Sequence, residues 1–455
     1  MHVLQRLPAT WRRALLELAA KPLGRRLARG AAASIVMTGA SMLLGIANSV
    51  LLGRLLGPES YGLYSFAMLL VGIATVPFWY GMTTLLTRET GRVVATGNRG
   101  DMGVLLNWCF GWTGRVALVV SAATALLLWL TGPWIGPTRL AACLVALPLI
   151  GLSMLMPINS TLLRGVGGLV RSQFCDLIAR PSLSLLALLL MVAMLGRYGL
   201  SASSGLVAQS LAVAGASMLS GYWLFQGWRE MPVTARAGLE PYAGRYRFRG
   251  LLVFSAFASL AAFYGSIDGL LLNWLAGNAT LGIYRIAMVG VQLITGFVAA
   301  INTIVQPSIA SLHAAGDKDR LQRLLTTNAR VTVLLAAPPV AILALFGQPL
   351  LSFGFGDAYG AGAPALAIAA LGQLAVSLAG PVMNLLILTG NERTALRCLF
   401  SGTVANCGLC LLLIPSLGMS GAAIATTAGG VVWMVLMSAN ERRLTGLTSS
   451  VFGAR

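Results

Sequence analysis

Residues Leu51–Leu70 read LLGRLLGPESYGLYSFAMLL, and residues Leu271–Gly290 read LLNWLAGNATLGIYRIAMVG. Laid over each other, the two stretches agree at eight of twenty positions: Leu51/Leu271, Leu52/Leu272, Leu55/Leu275, Gly57/Gly277, Gly62/Gly282, Tyr64/Tyr284, Ala67/Ala287 and Met68/Met288. Each copy closes one apolar run, turns within a short Gly-bounded segment and opens the next run. A helix hairpin repeated in both halves of an apolar chain is the mark of a secondary transporter built from two related bundles.

The composition agrees. Of 455 residues, 57% are hydrophobic and only 10% charged, against roughly 25% charged in soluble domains. Apolar runs near 20 residues recur from end to end, and at 1.5 Å per residue each can cross a core of roughly 30 Å. They are continuous rather than alternating, which excludes a closed barrel. The chain therefore reads as an all-α polytopic membrane protein with twelve transmembrane helices in two six-helix bundles around a central cavity. The expected spans are 30–52, 62–84, 108–132, 140–162, 174–196, 205–225, 250–272, 281–306, 329–352, 362–389, 396–416 and 419–439. The apolar run Met102–Trp134 exceeds one crossing, so part of it is expected to project into the cytoplasm or lie along the interface. Around these spans the organisation reads as a basic cytoplasmic segment (1–29), an N-terminal bundle (30–225), a basic cytoplasmic linker (226–249), a C-terminal bundle (250–440) and a cytoplasmic tail (441–455).

A net charge of +19 raises nucleic acid, but the placement of the charge answers it. With the N-terminus inside, the cytoplasmic segments hold 26 of the 32 Lys and Arg residues, and the outer loops hold only Arg54, Arg139 and Arg197. That asymmetry places both termini in the cytoplasm and makes the charge a topological signal. The basic flank 1–29 is expected against the anionic inner leaflet, and the run after it is too long for a signal-peptide core.

Several chemistries have no foothold. The two lysines, Lys21 and Lys318, follow no glycine-rich loop, and the two histidines, His2 and His313, lie in polar segments. Walker-type ATP hydrolysis, His-ligated metal and Ser-His catalysis are thereby excluded. Cys407-x-x-Cys410 lies in a span without His or acidic neighbours, and none of the six cysteines is in an outer loop, so buried thiols are expected. The outer loops are short and offer only Glu59 and Asp357, too little for a membrane glycosyltransferase or polymerase acting outside. The reading is a carrier, not an enzyme, with no cofactor and no metal.

At the repeated hairpin the chain resembles a known family. GRLLGPESYGLYSFA is similar to the LGPxxYGxYxxA signature of Wzx-type polysaccharide-exporter flippases, within the multidrug/oligosaccharidyl-lipid/polysaccharide superfamily. Ile267–Leu272 with Gly282-Ile283-Tyr284, Leu386–Arg393 (LILTGNER) and Leu417–Thr426 (LGMSGAAIAT) resemble further motifs of that family, in the same order. The resemblance implies alternating access by two bundles. It also implies transfer of an undecaprenyl-pyrophosphate-linked oligosaccharide across the bacterial inner membrane, for O-antigen, lipopolysaccharide or exopolysaccharide synthesis. The partners so implied are that lipid-linked oligosaccharide, membrane lipids, and polysaccharide polymerase and chain-length proteins; nucleic acid is not among them. Lipid II flippases of the superfamily usually carry fourteen helices. Multidrug exporters carry twelve and stay open as the main alternative.

A pyrophosphate crossing a low-dielectric region needs fixed cations, and arginine suits because it stays charged and binds phosphate in a planar fork. Arg180, followed by Pro181, leads the candidates; the plainer reading pairs it with Asp176, four residues earlier. Arg115 and Arg285 are further substrate-binding candidates, each readable as a snorkelling anchor. Arg54 at the outer mouth could receive the released phosphate or simply anchor the interface. Asp268 is the candidate coupling group for protons or sodium, and Asp176 is the second; an ion pair with Arg285 or a helix-capping contact near the outer surface is the competing role of Asp268. Asn48, at the equivalent repeat position, is a further substrate-binding candidate. Asn159 and Asn384 are expected to hydrogen-bond between helices.

Overall fold

A computed structural model describes residues 22–96, 99–196, 199–231 and 248–453, and the described residues are helical almost throughout, with no strand. The expected basic segment 1–29 and linker 226–249 lie largely outside them. The elements are α1 (Pro22–Thr96), α2 (Arg99–Ile135), α3 (Pro137–Gly165), α4 (Leu169–Phe174), a π-helical turn (Cys175–Ala179), α5 (Arg180–Leu195), α6 (Ala202–Arg229), α7 (Phe248–Ala276), α8 (Asn278–Ala314), α9 (Lys318–Phe355), a 3-10 turn (Asp357–Gly362), α10 (Ala363–Ser377), α11 (Val382–Leu388) and α12 (Glu392–Thr445).

Among the described residues, ten stretches are long and apolar enough to cross a membrane. Two of them are double: α1 breaks at Gly57 (φ 68°, ψ 172°) and α12 at Gly418 (φ 55°, ψ −126°). With each break counted as a turn between two arms, the chain makes twelve spans. Gly277 (φ 88°), between α7 and α8, repeats the Gly57 turn, and the left-handed region both occupy is open chiefly to glycine.

Two expectations need correction. Residues 307–330, assigned to a loop, are mostly helix: α8 runs to Ala314 and α9 starts at Lys318, leaving a turn between them. Hydropathy marks only the lipid-crossing part of a helix, whereas backbone hydrogen bonding carries it past the membrane edge. The span expected over 362–389 is two helices, interrupted at Leu378–Pro381, where Gly380 has a φ of 67° and Pro381 cannot donate to the turn before it. The apolar run 102–134, expected to exceed one crossing, belongs to α2, one uninterrupted helix of 37 residues, roughly 55 Å long, which overruns any bilayer core.

Within the halves, α3 sits between α6 and the second arm of α1, and α12 contacts α7 and α10, while α1 also packs extensively on α7 and α8 of the other half. Leu149, Ile150, Met154 and Leu206 centre one core; Leu272, Tyr284, Ile414 and Ala422 centre the other. The halves meet through Leu52, Tyr61, Ile286, Ala287 and Tyr359 at the end carrying the Gly57 and Gly277 turns, called here the hairpin end. There the repeat closes on itself. A Cβ at Gly62 would overlap the Asn278 carbonyl, and a Cβ at Gly282 would overlap the Pro58 carbonyl. Pro58 and Asn278 are equivalent positions, as are Gly62 and Gly282, so the contact is reciprocal, as a two-fold relation between the hairpins requires.

Candidate functional site

A cavity of about 660 Å³ lies within the N-terminal half. The second arm of α1 lines it from Met68 to Thr87, a rise of roughly 28 Å, so it runs from near the hairpin end toward the opposite end. Ser153, Ser160, Thr161 and Arg164 come from α3, Asp176 from the π turn and Arg180 from α5. Most threonine hydroxyls on this wall already donate to their own helix: Thr75 to Val71, Thr84 to Tyr80, Thr87 to Thr83 and Thr161 to Pro157. Their oxygens can still accept. Donors for an anion must therefore come mainly from the arginines.

Arg164 and Asp176 are joined. The Arg164 Nη2 donates to Asp176 Oδ2 at 2.7 Å, and its Nε donates to Ser172 Oγ at 2.8 Å. Ser160 Oγ donates to Asp176 Oδ1 at 2.6 Å, and Ser172 Oγ donates to the Ser160 carbonyl at 3.0 Å. Asp176 is thus bonded across two helices by Arg164 and Ser160, and Arg180 acts on it through charge alone. That corrects the i,i+4 pairing expected from the sequence, and the π turn supplies the reason. The Arg180 N–H reaches back five residues to the Cys175 carbonyl, which takes Arg180 out of α-helical alignment with Asp176. Arg180 forms no ion pair or hydrogen bond among the described residues, yet lines the cavity. Two guanidiniums against one carboxylate leave an excess positive charge, with the partner-free one partly buried.

The other sequence candidates fall elsewhere. Arg115 is exposed, and its Nε donates to the Gly111 carbonyl of its own helix at 3.0 Å. Arg54 donates from Nε to the Gly354 carbonyl at 2.8 Å and from Nη2 to Phe353, tying the two halves at the hairpin end. Arg285 is partly buried, its stem 4.0 Å from a Cβ placed on Gly269. Asn48 has a buried, partner-free Oδ1. None of the four lines the N-terminal cavity. Asn159 bridges helices as expected, donating to the Ser217 carbonyl at 3.2 Å.

Asp268 is 5% exposed and surrounded by neutral donors. Tyr284 donates to its Oδ2 at 2.6 Å, Thr426 to the same oxygen at 3.2 Å, and the Gly269 N–H to Oδ1 at 2.7 Å. Arg285 forms no ion pair with it, so the competing reading of an Asp268–Arg285 contact falls. Among the described residues no three His, Cys, Asp or Glu side chains converge.

Two groups escaped sequence reasoning. In the sequence Arg164 falls among the 26 cytoplasmic charges, because a last-turn arginine of a helix looks like topology. Arg139, counted as an outer-loop charge, donates from Nε to Asn278 Oδ1 at 2.8 Å and from Nη2 to the Asn273 carbonyl at 3.2 Å, a second tie between the halves. The Gly-bounded hairpin signalled a turn but not what would dock on it.

Residues 51–364 match a family model described as a polysaccharide biosynthesis protein. An uncharacterised membrane protein of Methanocaldococcus jannaschii is 26% identical over 172 residues, 37% of this chain but only 34% of that protein. Stage V sporulation protein B of Bacillus subtilis is 23% identical over 440 residues, 90% of this chain and 82% of the relative. Among solved structures, the lipid II flippase MurJ in an inward closed conformation superposes with a TM-score of 0.70 at 14% identity, over 90% of this chain and 87% of that one. An inward-facing MATE-family multidrug resistance transporter of the MOP superfamily gives 0.69 at 15% identity, over 91% and 97%. At such identities the two structures establish the fold.

Proposed function

Because the chain belongs to the polysaccharide biosynthesis protein family, we propose that it is a flippase for an undecaprenyl-pyrophosphate-linked oligosaccharide in the bacterial inner membrane, with both termini in the cytoplasm. The single observation that carries the reading is Arg180, a guanidinium that forms no hydrogen bond or ion pair among the described residues, on the wall of the N-terminal cavity. A cation held there lowers the cost of bringing a pyrophosphate into a low-dielectric region, and its planar fork matches phosphate oxygens. The threonine oxygens beside it accept from sugar hydroxyls. The surplus of arginines over carboxylates favours an anionic headgroup over the cationic drugs of the multidrug alternative. The short hairpin-end turns leave little room for the glycosyltransferase or polymerase alternative.

Deleting the gene should stop one surface polysaccharide and make its lipid-linked unit accumulate in the inner leaflet, with the wild-type gene restoring export. Unchanged polysaccharide together with new sensitivity to cationic dyes would transfer the reading to drug export.

Asp268 supports a coupling role. It is a buried carboxylate without an arginine partner, in the half opposite the cationic cavity, held by hydroxyls that either a proton or a sodium ion could displace. Asp176, bonded to Arg164 and Ser160, is read as orienting Arg164. In proteoliposomes Asp268→Asn should remove the dependence of flipping on an imposed proton or sodium gradient. A variant that responds to both gradients as the native protein does would end the coupling role.

A further inference from the structure

A separate cavity of about 280 Å³ lies within the C-terminal half, near the lower end of small-molecule sites in size. It is lined by Asn302 of α8, Thr332 of α9, Gln373 of α10, Asn384 of α11 and Trp433 of α12, and by no Asp, Glu, Lys, Arg or His. The break between α10 and α11 forms part of its wall, through Gly380 and Pro381. Thr332 is 2% exposed, and its hydroxyl has no hydrogen-bond partner although it lines the cavity. Asn328 donates from Nδ2 to Asn302 Oδ1 at 3.0 Å, so the Asn302 amide is left with its NH2 to offer. A buried hydroxyl without a partner is costly, and native proteins keep such groups mainly where something else satisfies them.

The cavity adjoins others. A smaller one of about 250 Å³, with Glu392 on its wall, shares Met383 and Asn384 with it and shares Tyr80 with the cationic cavity of the N-terminal half. Arginines thus stand at one end of a row of three cavities, and uncharged amides and hydroxyls beside an indole ring stand at the other. An ionised group would find no counter-charge at the second end and would have to shed its water there. A neutral polyol would find donors, acceptors and an apolar ring face together.

We propose that the cavity around Thr332 is a glycan subsite that takes an uncharged pyranose of the headgroup while the pyrophosphate rests on Arg180; this inference rests on the flippase reading above. The full-length protein in nanodiscs would be titrated with bare undecaprenyl pyrophosphate and with the same lipid carrying an uncharged oligosaccharide long enough to cross the middle cavity. The sugar should tighten binding by about tenfold. Thr332→Val combined with Asn384→Leu should bring the two affinities together without changing that of the bare lipid, whereas Thr332→Ser should keep the difference. Arg180→Ala should weaken both lipids and leave their ratio intact. Equal affinities in the native protein, or a ratio that survives the Thr332→Val/Asn384→Leu change in protein of native melting temperature, would overturn the subsite. If neither lipid binds, the flippase reading fails first and the subsite with it.

Discussion

Two arginines share the N-terminal cavity, and their surroundings give them different tasks. Arg164 is spent on Asp176, while Arg180 is held beside the same carboxylate without bonding to it. Arg180→Ala should therefore abolish complementation at normal abundance, and Arg180→Lys should restore only part, since an ammonium keeps the charge but loses the fork. Arg164→Ala should instead lower abundance and melting temperature, because it leaves Ser160 as the one hydrogen-bond partner of Asp176, a loss of roughly 1–3 kcal/mol. Adding Asp176→Ala should recover the abundance lost with Arg164→Ala, yet bring no activity back to Arg180→Ala. Immunoblotting, melting curves and polysaccharide export measure each arm. Rescue of Arg180→Ala by Asp176→Ala would mean that Arg180 is a structural counter-ion after all.

At the scale of elements, the hairpins set how the halves close. Gly62 and Gly282 each admit a carbonyl of the opposite hairpin where any side chain would intrude. Gly62→Ala and Gly282→Ala should both disfavour closure of the hairpin end, each by roughly 1–3 kcal/mol if overpacking there resembles that of a core. Because the contact is reciprocal, the two variants should act alike. Cysteine-accessibility labelling of the hairpin end would show increased reactivity in both, with slowed transport. A normal closed population in either variant would show that the contact gives way at little cost. The π turn Cys175–Ala179 is the other decisive element, since it alone separates Arg180 from Asp176 in alignment.

Across the whole molecule, the hairpin end is shut. Arg54 reaches Gly354 and Phe353, Arg139 reaches Asn278 and Asn273, and the Tyr359 hydroxyl donates to the Gly53 carbonyl at 2.9 Å. All three ties join one half to the other. Alternating access requires that they break together as the opposite end closes. Spin-label pairs placed across the hairpin end should lengthen, and pairs across the opposite end should shorten, when undecaprenyl pyrophosphate is added to protein in nanodiscs. Arg139→Ala should raise the open population before any lipid is added. Distances that move in the same direction at both ends would exclude a rocking mechanism.

The amino-acid sequence by itself determined the all-helical class, the twelve crossings and the repeated hairpin. Those properties are local: a run of apolar residues must bury its backbone polar groups within one helix, and a glycine between two runs marks the turn. It also named Arg180 and Asp268 as the ionised groups to watch, because a charge inside a span is rare enough to stand out. Tertiary structure alone decided which partner each charge has. Arg164 meets Asp176 from another helix, Arg54 and Arg139 bind carbonyls and an amide of the opposite half, and Asp268 is held by Tyr284 and Thr426. Thr332, Gln373 and Asn384 lie on three helices and become a single pocket only once the half is assembled. Hydropathy reports how far a segment runs through the membrane. It does not report which face meets which neighbour, and the chemistry of this chain is set by those faces.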